Sequence, residues 1–183
     1  MKHLTTQTLQ TKRLILRKIT EADTPHIYNN WANNPEVTKH LTWKAHQSIN
    51  DTQAIVDIWM KAYEKESTYR WIIEHKADKQ VIGMIDVVAL SIADECATIG
   101  YVLAKDYWSK GYMSEAFDAV IKFLFEEVGL HRIEATHIIT NPASGKVMEK
   151  CGLKYEGTKR LKMKNHDGIF VDLAMYGLVK EDY

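Results

Sequence analysis

The sequence predicts one mixed α+β domain over residues 1–183. The chain is 45% hydrophobic and 26% charged, which is typical of soluble globular domains with a sizeable core. In its middle, segments rich in β-branched and aromatic residues follow one another after short polar links, which favours antiparallel strands. A helical pattern, a strand and a second helical pattern come next, and this order implies one parallel crossover.

The first third of the chain predicts one strand and two helices. Apolar and polar residues alternate over 13–18, as in a half-buried strand. A capping box at Thr20–Asp23 begins a helix that is expected to end near 33–35. Short oxygen-bearing side chains at 48–51 cap a second helix, which carries an apolar stripe on one face.

The remaining elements form a meander, a crossover and a final hairpin. The predicted strands are 69–74, 80–90, 96–103, 133–140, 154–164 and 169–179, and the predicted helices are 114–128 and 142–150. A polar turn at 165–168 joins the last two strands, which favours a hairpin.

Charge and cysteine content exclude several classes of partner. Lys plus Arg and Asp plus Glu number 24 each, so no overall positive field attracts nucleic acid or an anionic membrane. Cys96 and Cys151 have neither paired nor metal-ligand spacing, which argues against a disulfide framework or a metal site. The first residues contain no long apolar segment, so we expect neither a signal peptide nor a spanning helix, and a cytoplasmic location.

A short loop with one glycine precedes the helix predicted over 114–128. Gly111 lets the backbone approach an anion, and the N–H groups of the loop point the same way as the positive end of the helix dipole. The loop lacks the three glycines of a dinucleotide fingerprint and the Gly-Lys-Ser/Thr ending of a triphosphate loop, which disfavours NAD and ATP. A plain turn remains the alternative.

Asn141 and Ser144 form a second polar group, after the strand 133–140. Ligands of such sheets bind beyond the carboxyl ends of adjacent strands, and both polar groups lie at such ends. The alternative is that Asn141 and Ser144 only cap the following helix.

Four motifs in order resemble the GNAT superfamily of N-acetyltransferases, in its Rim-type branch of ribosomal-protein N-terminal acetyltransferases. The motifs are Ile99-Gly100-Tyr101-Val102-Leu103, Tyr107-Trp108-Ser109-Lys110-Gly111-Tyr112-Met113-Ser114-Glu115-Ala116, Gly129-Leu130-His131-Arg132-Ile133-Glu134-Ala135, and Asn141-Pro142-Ala143-Ser144 with Met148-Glu149-Lys150-Cys151-Gly152-Leu153. The opening segment 9–17 and the pair Glu156-Gly157 are similar to that branch too, so the resemblance covers nearly the whole chain.

The resemblance implies a splayed, mostly antiparallel seven-stranded sheet with helices on both faces and acetyl-CoA as cosubstrate. Of the family's Gln/Arg-x-x-Gly-x-Gly/Ala loop, Gly111 matches, while Trp108 and Met113 depart from it. The implied cofactor-binding residues are Tyr101, Val102, Leu103, Ser109, Lys110, Gly111, Tyr112, Met113, Ser114, Asn141 and Ser144.

The resemblance also implies two catalytic positions. Backbone N–H groups around Tyr101 to Leu103 would stabilise the oxyanion, and Ser144 would protonate the departing thiolate. The positions where the branch often carries a base hold Thr98 and Met163, so the base stays open among Glu74, Asp86, Glu95 and His137. An acceptor with a peptide α-amine, whose pKa is near ~8, would need little help from a base.

The acceptor that the resemblance implies is a primary amine, on a protein N-terminus or on a small molecule. Amino sugars, polyamines and antibiotics remain open as acceptors, and a non-catalytic acyl-CoA sensor is the alternative from another functional class. The resemblance further suggests a homodimer formed through a strand edge.

Overall fold

The computed structural model describes residues Met1–Tyr183 and contains one eight-stranded sheet. The strands are β1 (Leu9–Gln10), β2 (Leu14–Arg17), β3 (Arg70–His75), β4 (Val81–Ser91), β5 (Cys96–Leu103), β6 (Arg132–Ile138), β7 (Lys154–Lys164) and β8 (Phe170–Val179). Their order across the sheet is β1-β2-β3-β4-β5-β6-β8-β7, and every pair is antiparallel except β5 with β6. The mixed, mostly antiparallel sheet is therefore confirmed.

Five helices accompany the sheet. They are α1 (Thr24–Ile27), α2 (Pro35–Thr38), α3 (Ile49–Ala62), α4 (Tyr112–Lys122) and α5 (Pro142–Lys150). Wider π-helical turns extend α1 through Tyr28–Ala32 and α4 through Phe123–Val128, and short 3₁₀ turns form at Glu21–Asp23, Lys105–Tyr107 and Lys180–Asp182.

The prediction of seven strands was wrong by one. The additional strand is β1, whose two residues pair with β2 at Leu9↔Leu16 and Gln10↔Ile15. Two residues are too few to show an alternating pattern, so the sequence gives no signal for this strand. The helix predicted from Ser114 begins two residues earlier, because Gly111 adopts a left-handed conformation and Tyr112 already has helical geometry.

Helices cover both faces of the sheet, as predicted. One core lies between the sheet and the two long elements α4 and α5, with Phe117, Val120 and Leu124 fully buried. A second, smaller core lies under α1, α2 and α3 and contains Trp31 and Ile72. Trp31 is fully buried there.

The sheet splays between its two parallel strands. β5 and β6 pair from Cys96↔Arg132 only as far as Ile99↔Ala135. Beyond that point β5 continues alongside β4 to Leu103, while β6 continues alongside β8 to Ile138. A gap therefore opens between the carboxyl ends of β5 and β6, which is where ligands of open sheets bind.

Helix hydrophobicity and the state of the cysteines concern the whole chain. None of the helices has the length and apolar character needed to cross a membrane. Cys96 is half-buried and Cys151 is buried, and both are free thiols.

Candidate acetyl-transfer site

Two backbone N–H groups of β5 face the gap. The N–H of Ala104 donates to the carbonyl of Ile82 on β4, at 2.7 Å. Because N–H directions alternate along a strand, the N–H groups of Tyr101 and Leu103 point the opposite way, into the gap. Two donors aimed at one space can stabilise negative charge that develops on a carbonyl oxygen there.

Gly83 fixes the position of these donors. A Cβ atom at Gly83 would lie 2.4 Å from the carbonyl oxygen of Val102 and 3.2 Å from the Cα of Leu103. Only a residue without a side chain lets β4 approach the end of β5 so closely. Gly83 was not predicted as a site residue, because a single glycine within a strand does not reveal which strand it approaches.

The loop before α4 presents a continuous run of backbone donors. Ser109 and Gly111 both have positive φ angles, 59° and 76°, and turn the chain sharply into the helix. No acceptor in the chain receives the N–H groups of residues 109–114, and the first bond of the helix is from Glu115 N–H to the Gly111 carbonyl. The positive end of the helix dipole adds to these donors, so the loop suits a phosphate or pyrophosphate.

The side chains of the loop turn away from that run of donors. Lys110 Nζ donates back to the carbonyl of Asp106 at 2.8 Å, and Trp108 Nε1 donates to the carbonyl of Leu103 at 2.7 Å. Met113 and Ser114 are buried against the core. The predicted loop residues would therefore contact an anion through their backbone N–H groups. The Trp108 side chain links the loop to the end of β5.

Thr11 and Arg13, at the first strands of the sheet, bind Glu115 of α4 and form a polar clamp that holds the loop. Arg13 donates from Nη1 to the Lys110 carbonyl at 3.0 Å and from Nε to Glu115 Oε2 at 2.6 Å. Glu115 Oε1 also accepts from the Arg13 backbone N–H and from the Thr11 hydroxyl, at 2.8 and 2.6 Å. Burial would raise the pKa of Glu115, but these donors outweigh it and keep its pKa below the ordinary value.

Tyr101 and Ser144 meet on the other side of the gap. Their hydroxyl oxygens are 2.9 Å apart, and the Tyr101 hydroxyl is also 2.9 Å from the Ser144 carbonyl. The Tyr101 ring packs against Phe117 of α4, and burial raises the pKa of its phenol. The two predicted site residues are therefore brought together, with Tyr101 neutral at physiological pH.

The helix-capping alternative for Asn141 and Ser144 finds no support in the contacts. Asn141 precedes α5, yet its side chain makes no cap hydrogen bond, and the Ser144 hydroxyl contacts only Tyr101. Val102 differs from its neighbours, because its side chain points into the second core and only its backbone lies near the gap.

Three of the four candidate bases are engaged elsewhere. Glu74 accepts from Arg17 at 2.9 Å, and Glu95 pairs with the amino terminus of Met1 at 3.1 Å. His137 contacts the Ile138 carbonyl at 2.9 Å and lies beneath α5, beside Gly145.

Asp86 is placed differently. Arg70 donates twice to Asp86 Oδ2, at 2.7 and 2.9 Å, whereas Oδ1 accepts no hydrogen bond. A Cβ atom at Gly100 would lie 3.4 Å from that free oxygen, so Oδ1 lies above the residue that precedes Tyr101. Burial raises the pKa of Asp86, and the Arg70 guanidinium opposes that rise.

Comparison with known proteins agrees with this geometry. The model of the acetyltransferase (GNAT) domain family matches residues 13–154, most of the chain. The chain belongs to the GNAT acetyltransferase family. It is an N-acetyltransferase, and acetyl-CoA is its acetyl donor.

Individual relatives align with almost the whole chain of this acetyltransferase. It is 33% identical over 172 residues to the N-acetyltransferase YoaA of Bacillus subtilis, covering 94% of this chain and 96% of that protein. A GNAT-family acetyltransferase structure from Bacillus anthracis superposes with a TM-score of 0.83 at 26% identity, covering 96% and 99% of the two chains. The ribosomal-protein-S5-alanine acetyltransferase of Vibrio fischeri shares the fold, with a TM-score of 0.83 at 20% identity and coverage of 97% and 98%.

These comparisons confirm the family, the Rim-type resemblance, the fold and the acetyl donor. The roles of individual residues, Ser144 and the N–H groups of Tyr101 and Leu103 among them, stay predictions.

Proposed function

We propose that this acetyltransferase moves the acetyl group directly from acetyl-CoA to a primary amine. The observation that carries the proposal is the splayed gap, which has two free N–H donors on β5 and the run of loop donors at the same edge of the sheet. In direct transfer the amine nitrogen forms a bond to the acetyl carbon as the carbon–sulfur bond breaks. The amine loses a proton, and the thiolate takes one up.

Backbone groups hold acetyl-CoA in this proposal. The N–H groups of residues 109–114 suit its pyrophosphate, and the gap between β5 and β6 suits its extended arm. The N–H groups of Tyr101 and Leu103 stabilise the charge that develops on the acetyl oxygen, and one such donor is typically worth ~10²–10³ in rate. Both roles need backbone geometry rather than particular side chains. The departures from the family's loop motif at Trp108 and Met113 are therefore compatible with both roles.

Ser144 is the proposed acid for the leaving thiolate. Its hydroxyl lies 2.9 Å from that of Tyr101, which fixes the direction of the Ser144 oxygen. Tyr101 is thus a positioning side chain, while its backbone N–H serves the acetyl oxygen. General acids of this kind contribute ~10²–10⁴ in rate.

Asp86 is the proposed base, acting on the amine through one water molecule. Its free Oδ1 lies beside Gly100, on the sheet face opposite the Tyr101 ring. A base matters most for an aliphatic amine with a pKa near ~10, and least for an α-amine near ~8. The sensor alternative rested on the missing acidic residues at Thr98 and Met163, and a carboxylate supplied from β4 weakens it.

A thiol-release assay with acetyl-CoA and a panel of peptides, amino acids, polyamines and aminoglycosides tests the proposal. Calorimetric titration with CoA runs beside it. Turnover with at least one amine is expected, whereas CoA binding without any turnover would favour the sensor.

A pair of glycine variants tests the donor loop. Gly111→Asp puts a carboxylate against the pyrophosphate, so CoA binding should be lost. Gly129→Asp is the matched control, because Gly129 has a similar φ of 80° at the opposite end of the same helical segment. Unchanged CoA affinity in Gly111→Asp would show that the loop is misassigned.

Location and assembly are further proposals. The free thiols of Cys96 and Cys151 suit a reducing cytoplasm. A homodimer through the exposed edge strand β7 is tested by light scattering of the purified protein.

A further inference from the structure

A cavity of about 470 Å³ adjoins the mouth of the gap. Ile138 and Thr140 line it from the end of β6, beyond the last residue of β6 that pairs with β5. The segment after α2 forms one wall and the β7–β8 turn forms the opposite wall. An amine that reaches the gap from this side therefore leaves the rest of its molecule in the cavity.

An ion pair joins the two walls. Lys44 Nζ lies 3.1 Å from Asp167 Oδ1, and both residues line the cavity. Such an exposed pair contributes little to stability, because water and salt screen it. Its significance is that Asp167 is the only carboxylate of the lining and already has a cationic partner, which also lowers the pKa of Asp167.

The wall after α2 also contributes a cationic side chain and hydrogen-bond donors to the lining. Lys39 has no acidic partner within the chain, and His40 follows it directly. Burial lowers the pKa of His40, with the Lys39 charge as the second cause, so His40 is a neutral donor near pH 7. From the opposite wall, His166 lines the cavity with its Nδ1 3.2 Å from Asp167 Oδ1, so it adds to the cationic partners of that carboxylate.

The Thr38 hydroxyl adds to this set. Thr38 lines the cavity, and its hydroxyl makes no hydrogen bond within the chain. Lys39, His40 and Thr38 thus offer donors with no internal acceptor.

We infer that the acceptor is a small amine that also carries an anionic group, a carboxylate or a phosphate. This inference rests on the proposed function and names the substrate class of the same site. The amine enters the gap and the anion is bound by the donors of the cavity, with Lys39 as the uncompensated charge. Polyamines and aminoglycosides are disfavoured, because they need free carboxylates and the one carboxylate here is paired.

Matched acceptors test the inference. β-Alanine is compared with its amide, and ethanolamine phosphate with ethanolamine, so that each pair differs in the anion alone. Spermidine serves as the cationic probe. The anionic member of at least one pair should be acetylated with a kcat/KM about tenfold above its neutral partner, the size expected of one charge-assisted hydrogen bond. The two pairs distinguish a carboxylate from a phosphate.

Lys39→Met locates the effect in the cavity. It should remove most of the preference by raising KM for the anionic acceptor, with turnover of the neutral amine and affinity for CoA unchanged. Lys61→Met, an exposed lysine on α3, is the matched control and should leave the preference intact. A preference for spermidine or for the neutral amines would overturn the inference, as would an equal loss for all acceptors in Lys39→Met.

Binding separates this inference from the proposed function. Calorimetry with the same probes in the presence of CoA reports the anion preference without turnover. Preferential binding of the anionic amines without acetylation would support the anion site and overturn the proposed transfer. Preferential turnover of spermidine would support transfer and overturn the anion site.

Discussion

Gly83 offers a direct test of whether the end of β5 is the oxyanion site. In Gly83→Ala the new Cβ would lie 2.4 Å from the Val102 carbonyl oxygen, where ordinary contact begins at 3.4 Å. The end of β5 must therefore move by about 1 Å, which carries the N–H of Leu103 with it. A misplacement of that size costs about 10²-fold in rate, so kcat should fall ~30- to 100-fold.

The other properties of the variant should change less. Overpacking between β4 and β5 should lower the free energy of unfolding by about 1–3 kcal/mol, so the assay is run well below the melting temperature. Affinity for CoA should stay within about threefold, because the loop donors at 109–114 are not displaced. The measurements are steady-state kinetics with the best acceptor of the panel, and calorimetry with CoA.

A control variant and a clear refutation complete the test. Val88→Ala changes an exposed side chain on the same strand and should leave kcat unaltered. If Gly83→Ala is folded and turns over at the full rate, the N–H groups at the end of β5 do not stabilise the reaction.

Three further predictions concern acid, base and stability. Ser144→Ala should lower kcat about 100-fold and Tyr101→Phe much less, measured by steady-state kinetics; equal, small effects would remove Ser144 from the chemistry. Asp86→Asn should lower kcat/KM about 100-fold near pH 7, with the deficit shrinking as pH approaches the pKa of the amine; a deficit independent of pH in the pH–rate profile would contradict a base. Arg17→Met should lower the free energy of unfolding by about 2–3 kcal/mol at pH 7, because Arg17 holds the buried Asp23 at 2.8 Å. Burial is the largest effect on Asp23 and raises its pKa, but Arg17 and the two Thr20 donors together outweigh burial and hold that pKa below its ordinary value. The deficit should therefore be fully present at pH 7 and shrink as pH falls into the acid range where Asp23 becomes protonated, as urea denaturation would show.

Much of the fold follows from local patterns. Alternation marks β2, caps mark α3, and glycine ends the α5 region, so these elements were predicted to within a few residues. The first helix was predicted as one continuous element from the capping box at 20–23 to about 33–35, yet it changes from a 3₁₀ turn through α to a π-helical turn. Side-chain periodicity does not distinguish these helix types, because the apolar face is the same.

The candidate site could be predicted only in part, because some of its residues are marked by neighbouring sequence and others meet only in the folded chain. Gly111 and Ser144 stand beside recognisable helix starts, so short-range signals reveal them. Asp86 and Gly83 lie within a strand and act on β5 across the sheet, and this depends on register. Lys39 and His166 come together only through tertiary packing across more than a hundred residues, for which a single sequence carries no signal.

The clamp on the donor loop makes donor binding report on folding of the whole sheet. Thr11 and Arg13 hold Glu115 across 104 and 102 positions of sequence. During synthesis, Thr11 and Arg13 emerge long before Glu115. Closing so long a loop is a late step with a high cost in chain entropy. We therefore expect CoA to bind only the completed fold and to protect it against unfolding. Shortening the chain past Arg13 should abolish that protection, although every residue of the loop itself would remain.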